Sequence, residues 1–179
     1  MLAELKKEFA ALGPLAIVET NYKVKGYHLD VEVSPDQVVP AAELMDRHGC
    51  FLESITGVDW LGKTPVGNIE EKEAAADETA GEGDAAPESD GGEAKVDLLE
   101  VVYDYNYTGG ELCRVVVRCR LERANPEIPT ISNVFAGADW HERETHDFFG
   151  IKFLGHPDLS PLLLPEDADF HPLLKDFEA

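Results

Sequence analysis

The densest group of reactive side chains lies late in the chain, where residues 140–149 read Trp-His-Glu-Arg-Glu-Thr-His-Asp-Phe-Phe. Two imidazoles and several carboxylates this close together could ligate a metal or serve as acid and base. Spacing argues against both. A zinc helix of the His-Glu-x-x-His type needs histidines four apart on one face, whereas His141 and His146 are five apart, about 140° around a helix. A carboxylate-metal helix needs Glu and His three apart, and Glu142 and His146 are four apart. For acid-base work Glu142 and Glu144 have no nucleophile or cofactor site beside them. The pattern instead predicts a short helix that orders its own loop, with Arg143 and Asp147 paired at i,i+4, Asp139 and Glu142 as a capping-box start, and Gly150 as its stop. No catalytic, cofactor-binding or metal-ligating residue is expected in this chain.

The elements that must hold this helix are readable upstream. Leu2, Leu5, Phe9 and Leu12 fall on one stripe of an opening helix that Gly13 and Pro14 stop. A weak strand at 16–20 and an alternating one at 27–33 form an antiparallel pair turning near Lys25 and Gly26, with Leu29, Val31 and Val33 on one face. A helix from Pro40 to about His48 ends at Gly49, and 51–60 returns as an extended segment. Two long strands follow, 96–107 and 112–121; the second sets Arg114, Arg118 and Arg120 against Cys113, Val115, Val117, Cys119 and Leu121. The expected fold is α+β in two layers: a mixed, mostly antiparallel sheet covered by helices, in the order α-β-β-α-β-β-β. No glycine-rich phosphate loop supports nucleotide binding.

The net charge of −21 on 179 residues speaks against a basic nucleic-acid footprint. Residues 70–94 hold ten Asp/Glu and one Lys, or −9 of that charge, and no aromatic or branched aliphatic residue. This run reads as a disordered acidic insertion, because it cannot bury enough apolar surface to offset backbone ordering. The remaining −12 makes anionic lipid an equally poor direct partner. Cys50, Cys113 and Cys119 make no paired framework, which suits a reducing compartment, and no targeting segment or membrane span is expected.

Residues 155–179 form a second region beside the domain at 1–154. Four prolines there forbid a regular helix or central strand, yet Leu159, Leu162, Leu163, Leu164, Phe170, Leu173, Leu174 and Phe177 are apolar. Such an extended arm either wraps its own domain or lies on another protein.

The run 140–153, followed by Gly155-His156-Pro157-Asp158-Leu159 and by His171-Pro172-Leu173-Leu174-Lys175-Asp176-Phe177, resembles the C-subunit family of NADH:quinone oxidoreductase, and Val58-Asp59-Trp60 is consistent with it. The resemblance implies a cofactor-free, non-catalytic structural subunit of the peripheral arm, on the cytoplasmic face of the membrane. It would dock against the large quinone-site subunit and the iron-sulfur subunits, supporting electron transfer coupled to ion translocation. Iron-sulfur clusters and flavin would reside in those partners, and membrane contact would come through them. The family includes subunits of energy-converting [NiFe] hydrogenases and formate hydrogenlyases, whose hydrogenase-like large subunit holds a nickel-iron site. Ser160-Pro161 and Leu174 stand where the respiratory members usually carry arginines, so this second type of complex remains an alternative. The motif residues it assigns to helix, junction and arm are Glu142, Arg143, Glu144, Asp147, Gly150, His156, Pro157, His171, Pro172 and Lys175.

Overall fold

The computed structural model describes residues 1–62 and 97–178; the acidic run 70–94 lies outside the described residues. Its elements are α1 (Leu2–Leu12), β1 (Ala16–Glu19), α2 (Tyr22–Lys25), β2 (Leu29–Val33), α3 (Val38–Arg47), β3 (Phe51–Asp59), β4 (Leu98–Tyr107), β5 (Cys113–Glu122), β6 (Glu127–Pro129), α4 (Ala138–Phe149) and β7 (Lys152–Leu154). Five strands make one sheet in the order β1-β2-β5-β4-β3, antiparallel except where β2 runs parallel to β5. The α+β expectation holds.

Period-two alternation decides which face is the core. Leu29, Val31 and Val33, then Leu99, Val101, Tyr103 and Tyr105, then Val115, Val117 and Cys119, are all almost fully buried on the inner face. Leu5 and Phe9 of α1 and Ala41, Ala42 and Met45 of α3 pack against them. The three cysteines are free and buried, and burial pushes the thiols of Cys50 and Cys119 up to about 11 and about 12, which leaves them unreactive.

The opposite face carries ions. Arg118 lies 3.0 Å from Asp30, Arg120 lies 3.0 Å from Glu32, and each guanidinium comes within 3.6 Å of Glu100. Trp60 Nε1 donates to the Glu100 carboxylate at 3.1 Å. Burial raises the Glu100 pKa, and the two arginines and Trp60 oppose that rise.

Local departures from the expected elements have simple causes. The β1-β2 connection is a full helical turn, because the Asn21 side chain accepts from the Lys23 amide and Gly26 closes the turn at φ 80°. Helix α3 begins two residues before Pro40, fed by a 3-10 turn at Pro35–Gln37. Gln37 anchors that turn: its Nε2 donates to the carbonyls of Leu12 and Gly13 at 2.8 Å each. Strands β6 and β7 form a separate parallel pair, Ile128 beside Phe153, which no alternation announces in segments of three residues. This small ladder brackets α4, which packs against β3 of the main sheet. Phe149 then packs on β3 at Gly57, where an added Cβ would run into the ring.

Candidate functional site

Helix α4, the Gly150 that closes it and the arm that follows contain all ten residues singled out in the sequence. The helix begins at Ala138 behind Gly137, with no side-chain cap. The expected capping box is therefore absent: turns through Ile131, Phe135 and Ala138 wind the chain into the helix early, leaving Asp139 inside the first turn.

Glu142 faces inward and is fully buried. Its carboxylate accepts from the Ile131 amide at 2.8 Å and from Thr130 Oγ1 at 2.5 Å, both just past β6. Burial pushes its pKa up to about 7, against the two hydrogen bonds that favour the charged form and with a small push from Asp139. The His156 ring, also inaccessible, lies 3.8 Å away. His156 Nδ1 accepts from the Asp158 amide, so Nε2 carries the proton and donates to the Asp139 carbonyl at 3.3 Å. The arm thus starts from a buried imidazole seated on α4, with exposed Pro157 in the turn that follows.

Arg143 and Asp147 do not pair with each other as expected. Arg143 donates through Nε and Nη2 to the Ser160 carbonyl, both at 3.1 Å, and reaches Ser160 Oγ and the Pro161 carbonyl. Asp147 Oδ2 accepts from three consecutive amides, Leu162 and Leu163 at 2.8 Å and Leu164 at 3.3 Å. An extended proline-punctuated strip has backbone groups that no ladder satisfies, and these two side chains satisfy them. Burial works to raise the Asp147 carboxyl, but the amides of Leu163, Leu162 and Leu164 outweigh it and hold the pKa low. Glu144 is exposed and makes no hydrogen bond or ion pair among the described residues.

Farther along, His171 Nδ1 donates to the Asp147 carbonyl at 2.8 Å, and the Leu173 amide donates to the Phe148 carbonyl at 3.2 Å, with Pro172 between them. The His171 ring lies over Gly150, at φ 71°, so close that a Cβ there would meet it at 2.7 Å. The last anchor is on the sheet. Asp59, at the end of β3, accepts from the Lys175 amide at 2.8 Å, the Leu61 amide at 2.9 Å and Arg123 Nη1 at 2.6 Å. Arg123 also pairs with Asp176, and Lys175 Nζ donates to the Leu61 carbonyl. Burial opposes ionisation of Asp59, while these donors lower its pKa overall.

Sequence reasoning named Asp59 only within Val58-Asp59-Trp60, with no role, and did not single out Arg123 or Thr130. For Asp59 a signal existed: the inward positions of β3 run Ile55, Gly57, Asp59, and a carboxylate at an inward position demands a buried partner. A small pocket between α4 and the arm is lined by His146, Asp147, Pro161, Leu164, Phe170 and His171. Among the described residues no three His, Cys, Asp or Glu converge as metal ligands, and no helix is long and apolar enough to cross a membrane. What this geometry does chemically is hold a strip of backbone in place. The strip's apolar side chains are only partly covered: Leu163 is 60% and Leu173 52% exposed.

Residues 31–179 match the family model described as the 30 kDa subunit of respiratory-chain NADH dehydrogenase. The C-subunit of NADH-quinone oxidoreductase from Roseiflexus castenholzii is 32% identical over 152 residues, covering 83% of this chain and 68% of the relative. Among solved structures, a trypsin-resistant fragment of Nqo5 aligns with TM-score 0.59 and 26% identity over 88% of this chain and 98% of the fragment. A chain of the membrane-bound sulfane sulfur reductase, an archaeal respiratory membrane complex, aligns with TM-score 0.66 and 19% identity over 98% of this chain and 85% of its own length, a likeness of fold.

Proposed function

The chain belongs to the 30 kDa subunit family of respiratory-chain NADH dehydrogenase and is therefore one subunit of an NADH-quinone oxidoreductase-type complex, within which we propose that it is a cofactor-free scaffold of the peripheral arm. In this reading it docks on the large quinone-site subunit and on iron-sulfur subunits at the cytoplasmic face. Clusters and flavin belong to those partners, and membrane contact comes only through them. Its contribution to electron transfer coupled to ion translocation is geometric, since transfer between cofactors depends on distances that neighbouring chains set jointly.

One observation carries the reading. The arm is tied to its own domain through its backbone by Arg143, Asp147 and Asp59 and through the His171 side chain, while Leu163, Phe170, Leu173 and Phe177 keep 36–60% of their surface in solvent. A strip anchored through its backbone with apolar side chains turned out is built to be covered. Deleting residues 155–179 should remove the chain from its complex on native gels; an intact complex would overturn the proposal.

A second reading, the equivalent subunit of an energy-converting [NiFe] hydrogenase or formate hydrogenlyase, is favoured by Ser160-Pro161 and Leu174 in place of arginines. Mass spectrometry of the purified complex separates the two: a flavoprotein supports the first, a nickel-site large subunit the second.

A further inference from the structure

The outward side of the arm mixes two kinds of surface. Leu163, Phe170, Leu173 and Phe177 are exposed, and the rings of Phe170 and Phe177 stack with centroids 5.5 Å apart, so the apolar groups are partly gathered into one patch. Glu166, Asp167, Asp169 and Glu178 are interspersed with them and lie in the same exposed strip. Residues 155–179 contain six carboxylates and a single lysine. That lysine is exposed but occupied, its Nζ on the Leu61 carbonyl and its amide on Asp59, and it pairs with none of these carboxylates. Asp176 pairs with Arg123, which it shares with Asp59 and Asp97, and the Asp158 carboxylate accepts from the Ser160 amide. Glu166, Asp167, Asp169 and Glu178 meet no cation among the described residues.

Covering the apolar patch brings these four carboxylates to the edge of a desolvated contact, which is unfavourable unless the opposing surface supplies positive charge. We infer that the arm docks into an apolar groove of another protein subunit whose rim is lined with lysine and arginine. This rests on the reading of the chain as a scaffold subunit and specifies the surface it meets. An anionic bilayer would repel the same carboxylates, and a second copy of a chain carrying −21 would set like charges against each other.

The test uses the intact complex, purified through a tag on this chain and treated with a water-soluble carbodiimide, which joins a carboxylate to an amine only in direct contact. Glu166, Asp167, Asp169 or Glu178 should be recovered coupled to lysines of a different subunit. Raising NaCl from 0.05 to 0.5 M should weaken retention of the wild-type chain about tenfold, and the Glu166→Gln/Asp167→Asn/Asp169→Asn/Glu178→Gln variant should be weak at both salts. A second variant, Leu163→Ala/Phe170→Ala/Leu173→Ala/Phe177→Ala, should be lost at every salt while its Leu162–Leu164 amides stay protected from hydrogen exchange, which shows that the arm itself is intact. Coupling only to a second copy, or retention indifferent to salt and to charge neutralisation, overturns the inference and leaves the scaffold reading standing. If no other subunit accompanies the wild-type chain, the scaffold reading fails and this inference falls with it.

Discussion

The Lys175 amide donates to Asp59 Oδ2 at 2.8 Å across 116 residues of sequence, joining the end of the arm to the end of an edge strand. The same carboxylate holds Arg123, whose side chain is only 11% exposed. Replacing Asp59 with Ala therefore strips a nearly buried guanidinium of its best partner and frees the arm at once. We expect a loss of about 3 kcal/mol, the lower end for breaking a buried pair because Asp176 and Asp97 remain near Arg123. Thermal unfolding should shift down by roughly 6 to 12 °C, with the Lys175 amide losing exchange protection. An unchanged midpoint would show that Arg123 does not need Asp59.

Asp147 serves the middle of the arm. Three amides converge on one oxygen, so Asp147→Ala leaves Leu162, Leu163 and Leu164 without acceptors. Each unsatisfied amide costs about 1 kcal/mol where water cannot replace the bond, and less where it can. Hydrogen exchange should accelerate at those three positions and leave β4 and β5 unaffected. Because the folded-state pKa lies below the ordinary carboxylate value, the contribution of Asp147 is complete above about pH 4 and fades as pH falls through the lowered pKa. The difference in stability between wild type and Asp147→Ala should shrink correspondingly in acid.

These two residues mark where sequence legibility ends. The faces of β2 and β5 were readable because period two leaves one arrangement that buries the apolar set, and Leu29, Val31, Val33, Val115 and Val117 obey it. Helix α4 was readable from Gly150 as its stop, although the capping box expected at Asp139 and Glu142 did not form. The partners of its charges were not, because i,i+4 spacing proposes Arg143–Asp147 without knowing that sixteen residues later the chain returns with unsatisfied amides and carbonyls. Both side chains gain more hydrogen bonds from the arm than from each other. Asp59 and Arg123 meet only through the sheet, 64 residues apart, and local pattern carries nothing over that distance.

Gly150 answers to two constraints at once. Its φ of 71° disfavours any L side chain, and a Cβ would overlap His171 at 2.7 Å. Gly150→Ala should cost about 1 to 3 kcal/mol. Its distinguishing effect is local: the ring must move, so the His171 bond to the Asp147 carbonyl breaks and the stretch 171–174 becomes accessible to proteases. A Gly137→Ala control, where an added Cβ meets nothing and φ is −67°, should leave the arm intact.

Glu142 sets the pH dependence. Its folded-state pKa of about 7 exceeds an unfolded value near 4.5, so between those limits the native state binds more protons than the unfolded chain. Stability must then fall as pH rises from about 4.5 through 7 and level off above, by up to about 3 kcal/mol from this group. Glu142→Gln keeps the acceptor for the Ile131 amide and turns the other end into a donor toward Thr130 Oγ1, which can pass its own proton to Ser132 Oγ at 2.8 Å. The substituted side chain is neutral at every pH, so the descending limb should vanish from its stability profile and the variant should match or exceed wild type at pH 8. Denaturant titrations at pH 5, 6.5 and 8 decide it. A constant wild-type-minus-variant difference across the three would mean that Glu142 does not change its charge in this range, and would overturn the prediction.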